Sequence, residues 1–262
     1  MRIEQIRNAT IKIHYAGKTF LVDPWLAPKG SMGCFADLST FRVCHKEQAR
    51  IPMPMCALPF PTEKVLEDVD AYIVTHVHPD HIDMNLDGTI KDYLKRDVAT
   101  FVQSDEDASV LQKSGFGDVR TLGANSSFGD IQLVKTPGLH GTLKPCGPSC
   151  GVVFRHPEEK TLYVAGDTIW YSEVERSLAS FRPDVVVLNA CAAELEDYGR
   201  LIMDDHDVAM VHKAAPCARV IVSHMDTVAH ASITRATMRE RLQKLGIWDA
   251  ILMPADGESL SF

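Results

Sequence analysis

The chain has 262 residues, 45% of them hydrophobic, and a formal net charge of −8. It can bury a substantial core, and a single domain over residues 1–262 suits that length better than two small ones. The acidic balance argues against a large nucleic-acid partner, which needs clustered Lys and Arg, and no run of about twenty apolar residues could cross a membrane.

From Met1 to Phe20 charged and apolar residues alternate without the apolar centre of a signal peptide, so a cytoplasmic location is expected. Asn8 to Asp23 reads as a hairpin: Ala9 to Tyr15 alternates, Ala16-Gly17 turns, and Thr19 to Val22 returns. Residues 24–61 differ, with six prolines, two glycines, three cysteines and no sustained period. An irregular stretch of that length in a compact domain is a lid, a binding loop or a surface excursion. The seven cysteines, an odd number, point to reduced thiols; Cys146 and Cys150, around Gly-Pro-Ser, read as incidental thiols on a turn.

Beyond residue 70 short apolar strands alternate with helical patterns. Strands are expected at Ala71–Thr75, Val98–Val102, Ile131–Thr136, Gly151–Phe154, Thr161–Ala165, Asp184–Leu188, Arg219–Val222 and Ala250–Leu252. Helices are expected near Glu106–Lys113, Glu173–Ser180, Asp205–Ala214 and Ser232–Lys244. The pattern is that of an α/β protein whose sheets pack face to face with helices outside.

The first of these later strands runs into Thr75-His76-Val77-His78-Pro79-Asp80-His81. Imidazole nitrogens and carboxylate oxygens so close together suit a borderline divalent metal such as zinc. His76 and His78, two residues apart, point to one side of an extended chain. Pro79 suits the first position of a helix, which places Asp80 and His81 in its opening turn. Other polar residues recur after apolar strands: Asp23 after Phe20-Leu21-Val22, His140 after Ile131–Thr136, Asp167 after Leu162–Gly166, and His224 after Val220–Ser223. Strand carboxyl ends are where α/β proteins build their sites.

This ordered set resembles the metallo-β-lactamase superfamily, whose signatures are a strand-end Asp, H-x-H-x-D-H, a His, an Asp and a late His. Leu21-Val22-Asp23-Pro24, Ala165-Gly166-Asp167-Thr168 and Ser223-His224 further resemble the L-ascorbate-6-phosphate lactonase-like branch of metal-dependent hydrolases. The resemblance implies a four-layer αββα sandwich and two divalent metal ions, zinc first and manganese second. It implies that His76, His78 and His140 hold one ion, that Asp80, His81 and His224 hold the other, and that Asp167 bridges them. Asp23 is then the carboxylate that orients a ligand imidazole.

Such a pair of ions makes water nucleophilic at neutral pH, so no Ser or Cys nucleophile is needed. The expected activity is hydrolysis of a small-molecule lactone or ester, a sugar-phosphate lactone among them, with Asp80 as proton acceptor. The alternative is a phosphodiesterase acting on a small or cyclic phosphodiester. A di-iron redox protein is disfavoured because His78 stands where such proteins usually carry an acidic residue. Trp170, Tyr171 and His230 are candidates for the substrate groove; His45, with Arg42 and Arg50, reads as part of a solvated charged loop. Relatives in this branch can be oligomeric, which leaves homo-oligomers open.

Overall fold

The structure, a computed structural model, describes residues 1–37 and 42–262. Six strands open the chain: β1 (Arg2–Arg7), β2 (Thr10–Tyr15), β3 (Lys18–Val22), β4 (Ala71–Val74), β5 (Ala99–Val102) and β6 (Val119–Thr121). A second series follows: β7 (Ser126–Phe128), β8 (Ile131–Pro137), β9 (Cys150–Arg155), β10 (Leu162–Val164) and β11 (Val185–Asn189). The short β12 (Glu194–Leu195) and β13 (Gly199–Arg200) form a separate two-stranded ribbon, and β14 (Arg219–Ser223), β15 (Ile251–Leu252) and β16 (Ser259–Ser261) complete the set. Two seven-stranded sheets result, in the orders β16-β1-β2-β3-β4-β5-β6 and β15-β14-β11-β10-β9-β8-β7. Each is antiparallel on one side and parallel on the other, with β3 to β6 and β10, β11, β14, β15 forming the parallel portions.

Strand alternation explains the layering. In β3, Phe20 and Val22 face inward between the sheets, where Phe20 meets Phe154 edge-on with ring centroids 5.2 Å apart. Leu21, on the other face, packs in the cluster that contains Ala108 and Leu111 of helix α2 (Asp105–Lys113), which follows the short helix α1 (Thr62–Val65). On the second sheet Val152, Val164 and Val187 face inward, whereas Val153, Tyr163 and Val186 meet the outer helices. Those helices are α3 (Ser172–Phe181), α4 (Asp205–Ala214) and α5 (Arg235–Lys244), which contribute Val174, Val208 and Met238 to the outer cluster. Sheets covered on both faces account for the nearly unbroken apolar runs of the later strands. The expected αββα sandwich is the fold found.

Several details differ from the sequence expectation. β1, β6, β7 and β16 are too short or too polar to show a period, and Thr234 caps α5, which starts at Arg235 rather than Ser232. No helix begins at Pro79; the His78 carbonyl accepts from both His81 N (2.9 Å) and Ile82 N (3.0 Å), which closes a single turn. Nor is the chain extended between His76 and His78, because His78 N donates to His76 O at 3.2 Å.

The 24–61 stretch is packed against the body in its described part. Trp25, Phe35, Val43, Ala49 and Met53 are buried in the outer cluster of the second sheet. Gly33 and Met53 form an antiparallel bridge, and Met55 N donates to Thr227 O at 2.8 Å. Among the described residues no helix is long and apolar enough to cross a membrane.

Close packing near β10 is tightest at Gly166. Gly166 has φ +66°, and a Cβ there would stand 2.2 Å from the Cys150 carbonyl oxygen. Gly129 has a similar φ of +61° but open space around it. Gly166→Ala is therefore expected to cost about 2–4 kcal/mol, strain plus overpacking, against about 1 kcal/mol for Gly129→Ala. Denaturant midpoints of the two variants measure the difference.

Candidate metal centre

Five strands end at one place. β3 delivers Asp23, β4 delivers Thr75 and His76, β8 leads to His140, β10 to Asp167 and β14 to His224. Ligand atoms of His76, His78 and His140 lie within 4.8 Å of one another, as do those of Asp80, His81 and His224, and those of His76, His81 and Asp167. Asp167 joins the two triads: its Oδ2 is 3.2 Å from His81 Nε2, 3.8 Å from His140 Nε2 and 3.9 Å from His76 Nε2. The structure thus gathers all seven residues expected to hold metal. Asp80 and His78 are partly buried, the other five fully.

The His81 and His140 imidazoles are oriented from behind. Asp23 accepts from Thr75 N (2.7 Å), Thr75 Oγ1 (2.8 Å) and His81 Nδ1 (2.9 Å), so one carboxylate fixes both the start of the His loop and the His81 ring. His140 Nδ1 donates to Leu201 O at 3.0 Å, which leaves Nε2 as the free lone pair. Asn189 Nδ2 donates to Asp167 Oδ1 at 2.7 Å and leaves Oδ2 for the imidazoles. Asp23 and His224 both take left-handed backbone conformations, φ 47° and 67°. Such conformations persist where the surrounding structure enforces them and cluster at functional sites.

The electrostatics favour cations. Burial drives His76 well below the usual histidine range and His78 down to about 4, so both present neutral lone pairs. Burial would also lower His81, but Asp167 and Asp23 outweigh it and lift that ring to about 10. Burial raises Asp80 and Asp167, yet neighbouring imidazoles overcome it and hold both carboxyls well below their ordinary range. A cation on Nε2 would replace the proton that the carboxylates draw onto His81. His76 Nε2 is buried with no hydrogen-bond partner, as a lone pair reserved for a metal would be. The N/O donor set and this orphaned atom fit divalent ions of the zinc or manganese type.

A small cavity of about 90 Å³ opens onto this floor. His78, Asp80, His140 and Asp167 line its base, and Met32, Phe35, Met53, Leu195 and Leu201 form an apolar roof. His230 lines it too, with Nε2 3.9 Å from Asp80 Oδ2 and its ring edge-on to Phe35 at 5.0 Å.

Trp170 and Tyr171 do not line the cavity, contrary to the sequence expectation. They pack against the outer cluster of the second sheet, and Trp170 N donates to Asp207 Oδ2 at 3.2 Å. His45 and Arg42 are likewise elsewhere, against Ser232 Oγ (3.0 Å) and Asp197 Oδ1 (2.5 Å).

Sequence reasoning missed Asn8, Asn189 and the roof. Asn189 ends the Val185–Leu188 run just as Asp167 follows its own strand, so the strand-end rule could have found it. Cys146, read as incidental, lines the cavity; burial and the Asp80 and Asp167 carboxylates push its thiol to about 11. All seven cysteines are free.

A sequence profile of the β-lactamase superfamily domain matches residues 18–225. The UPF0173 protein YddR of Bacillus subtilis (strain 168) is 42% identical over 266 aligned residues, covering 100% of both chains. The crystal structure of an isothiocyanate hydrolase from Delia radicum gut bacteria superposes with a TM-score of 0.90 at 39% identity, covering 100% of this chain and 99% of that one. That of "a possible metal-dependent hydrolase" from Veillonella parvula DSM 2008 gives 0.89 at 32% identity, with the same coverage.

Asp23→Asn would keep the shape but weaken the hold on His81 Nδ1. Affinity for zinc is expected to fall about 10–100-fold, read by calorimetric titration of the metal-free protein.

Proposed function

This chain belongs to the metallo-β-lactamase superfamily, and on that premise we propose that it is a metal-dependent hydrolase of small, uncharged, apolar molecules with an electrophilic carbon, an isothiocyanate first among them. The observation that carries the reading is the apolar roof of Met32, Phe35, Met53, Leu195 and Leu201 over a floor of imidazoles and carboxylates. Neither lysine nor arginine is among the described residues lining that cavity. A phosphodiester or a sugar-phosphate lactone would bring charge into a roof with nothing to pair it. A neutral lactone or simple ester remains the second reading, because its carbonyl carbon meets the same floor. The isothiocyanate hydrolase, similar over the whole length at 39% identity, puts the heterocumulene ahead.

In this reading His76, His78 and His140 would hold one divalent ion, Asp80, His81 and His224 the other, and Asp167 would touch both. Bound there, two such ions bring the pKa of water toward neutrality and polarise the electrophile. The chain's own residues do the rest. The roof seats the apolar substituent and keeps bulk water from the floor, where a lower dielectric strengthens every charge interaction. Asp80 accepts a proton from the attacking water, and His230, with Nε2 3.9 Å from Asp80 Oδ2, passes one to the departing nitrogen. For an isothiocyanate, water adds across the C=N bond to give a thiocarbamic acid. Breaking the C–N bond then releases a primary amine and carbonyl sulfide. Cys146 faces the same space as a protonated thiol, a weak competitor for the electrophile.

The test is a parallel assay with allyl isothiocyanate, a panel of neutral lactones and bis(p-nitrophenyl) phosphate. The expected result is amine release that stops on chelation and returns with zinc or manganese. Faster turnover of the phosphodiester, or activity indifferent to chelator, would refute the proposal. Asp80→Asn should lower kcat by about 10²–10⁴-fold. Phe35→Ala should shift kcat/KM by about 10-fold in favour of phenethyl over methyl isothiocyanate.

A further inference from the structure

Three of the ligand imidazoles have an oxygen behind Nδ1: Thr75 Oγ1 for His76 (3.2 Å), Asp23 for His81 (2.9 Å) and the Leu201 carbonyl for His140 (3.0 Å). His224 has only the Cys191 sulfur, at 3.5 Å. A thiol is a weak partner, and His224 also sits on a left-handed residue at the end of β14. Something else must hold the loop that carries it.

Asn8 is placed to do so. It lies between β1 and β2, fully buried, at φ 55°. Its carbonyl accepts from Gln5 Nε2 (2.8 Å), Ser223 Oγ (2.9 Å) and His224 N (3.0 Å). Its side-chain Nδ2 donates to the Asp80 carbonyl at 3.0 Å and lies 3.2 Å from His224 Nε2. One residue therefore grips the turn that carries Asp80 and the loop that carries His224, with Asp80 Oδ2 3.6 Å from His224 Nε2.

We propose that Asn8 is a positioning residue for the second triad: it sets the spacing of Asp80 and His224, and so the affinity of that site alone. The inference rests on the two-ion reading of the cluster. Asn8 makes no hydrogen bond to His76, His78 or His140, so the first triad should not sense its loss. Asn8 Oδ1 is buried without a partner, so removing the amide strands no further donor.

The experiment is calorimetric titration of chelator-stripped wild type and Asn8→Gly with zinc, with ion stoichiometry by elemental analysis. Glycine accepts the positive φ, so the backbone carbonyl keeps its three donors and only the amide is lost. The expected result is two ions per wild-type chain, and in the variant an unchanged first affinity with a second weakened about 10–100-fold. Equal second-site affinity in the two proteins would overturn the proposal, as would equal weakening of both sites. A wild-type chain that takes up fewer than two ions removes the two-ion reading and this inference with it. The metal-free melting temperature of the variant provides the folding control.

Discussion

The Asp167 carboxylate is the piece on which the rest of the site depends. A buried carboxylate is costly unless it is hydrogen-bonded and neutralised, and Asp167 meets that cost with four residues from different parts of the chain. Asn189 holds one oxygen; His76, His81 and His140 surround the other. The placement needs the tight passage at Gly166, and it needs β10 and β11 side by side in parallel, since Asp167 follows one strand and Asn189 ends the other. Sheet topology and site chemistry are the same constraint seen at two scales.

The remaining candidate ligands arrive by the same rule. Parallel strands bring their carboxyl ends to one edge, and the two sheets, packed face to face, bring two such edges together. Asp23 and His224 then pass through left-handed conformations in which the chain leaves its strand abruptly. Ordinary side chains avoid that region by roughly 1–2 kcal/mol, a cost offset here by the hydrogen bonds of Asp23 and by the Asn8 carbonyl that accepts from His224 N.

What could be read from the sequence follows from which signals are local. Asp23, the His76–His81 run, His140, Asp167 and His224 each follow an apolar strand, and a strand with its terminal polar residue is visible in a window of ten residues. The turn at Pro79 departs from the expected helix because its geometry is decided elsewhere, by Asp83 Oδ2 accepting from Leu26 N at 2.6 Å and by Asn8 on the Asp80 carbonyl. Adjacency is no guide at Trp170 and Tyr171: three residues beyond Asp167 the chain has already turned toward α3 and away from the cavity. The segment at 24–61 shows no period, and long-range contacts order its described part, with Arg7 donating to the Trp25 and Cys56 carbonyls and Thr227 receiving Met55. Asn8 left no trace at all, for a buried amide before a strand looks like any turn residue.

The ceiling of the cavity and its base come from separate lengths of polypeptide. Met32, Phe35 and Met53 belong to the early irregular segment, and Leu195 and Leu201 to the β12–β13 ribbon and the residue that follows it, neither of which supplies a candidate ligand. Mutational drift in those two stretches can therefore reshape what is admitted while the reactive machinery stays untouched. A scaffold divided in this way allows the shape and polarity of the space above to change by a few apolar replacements overhead, with no candidate ligand exchanged.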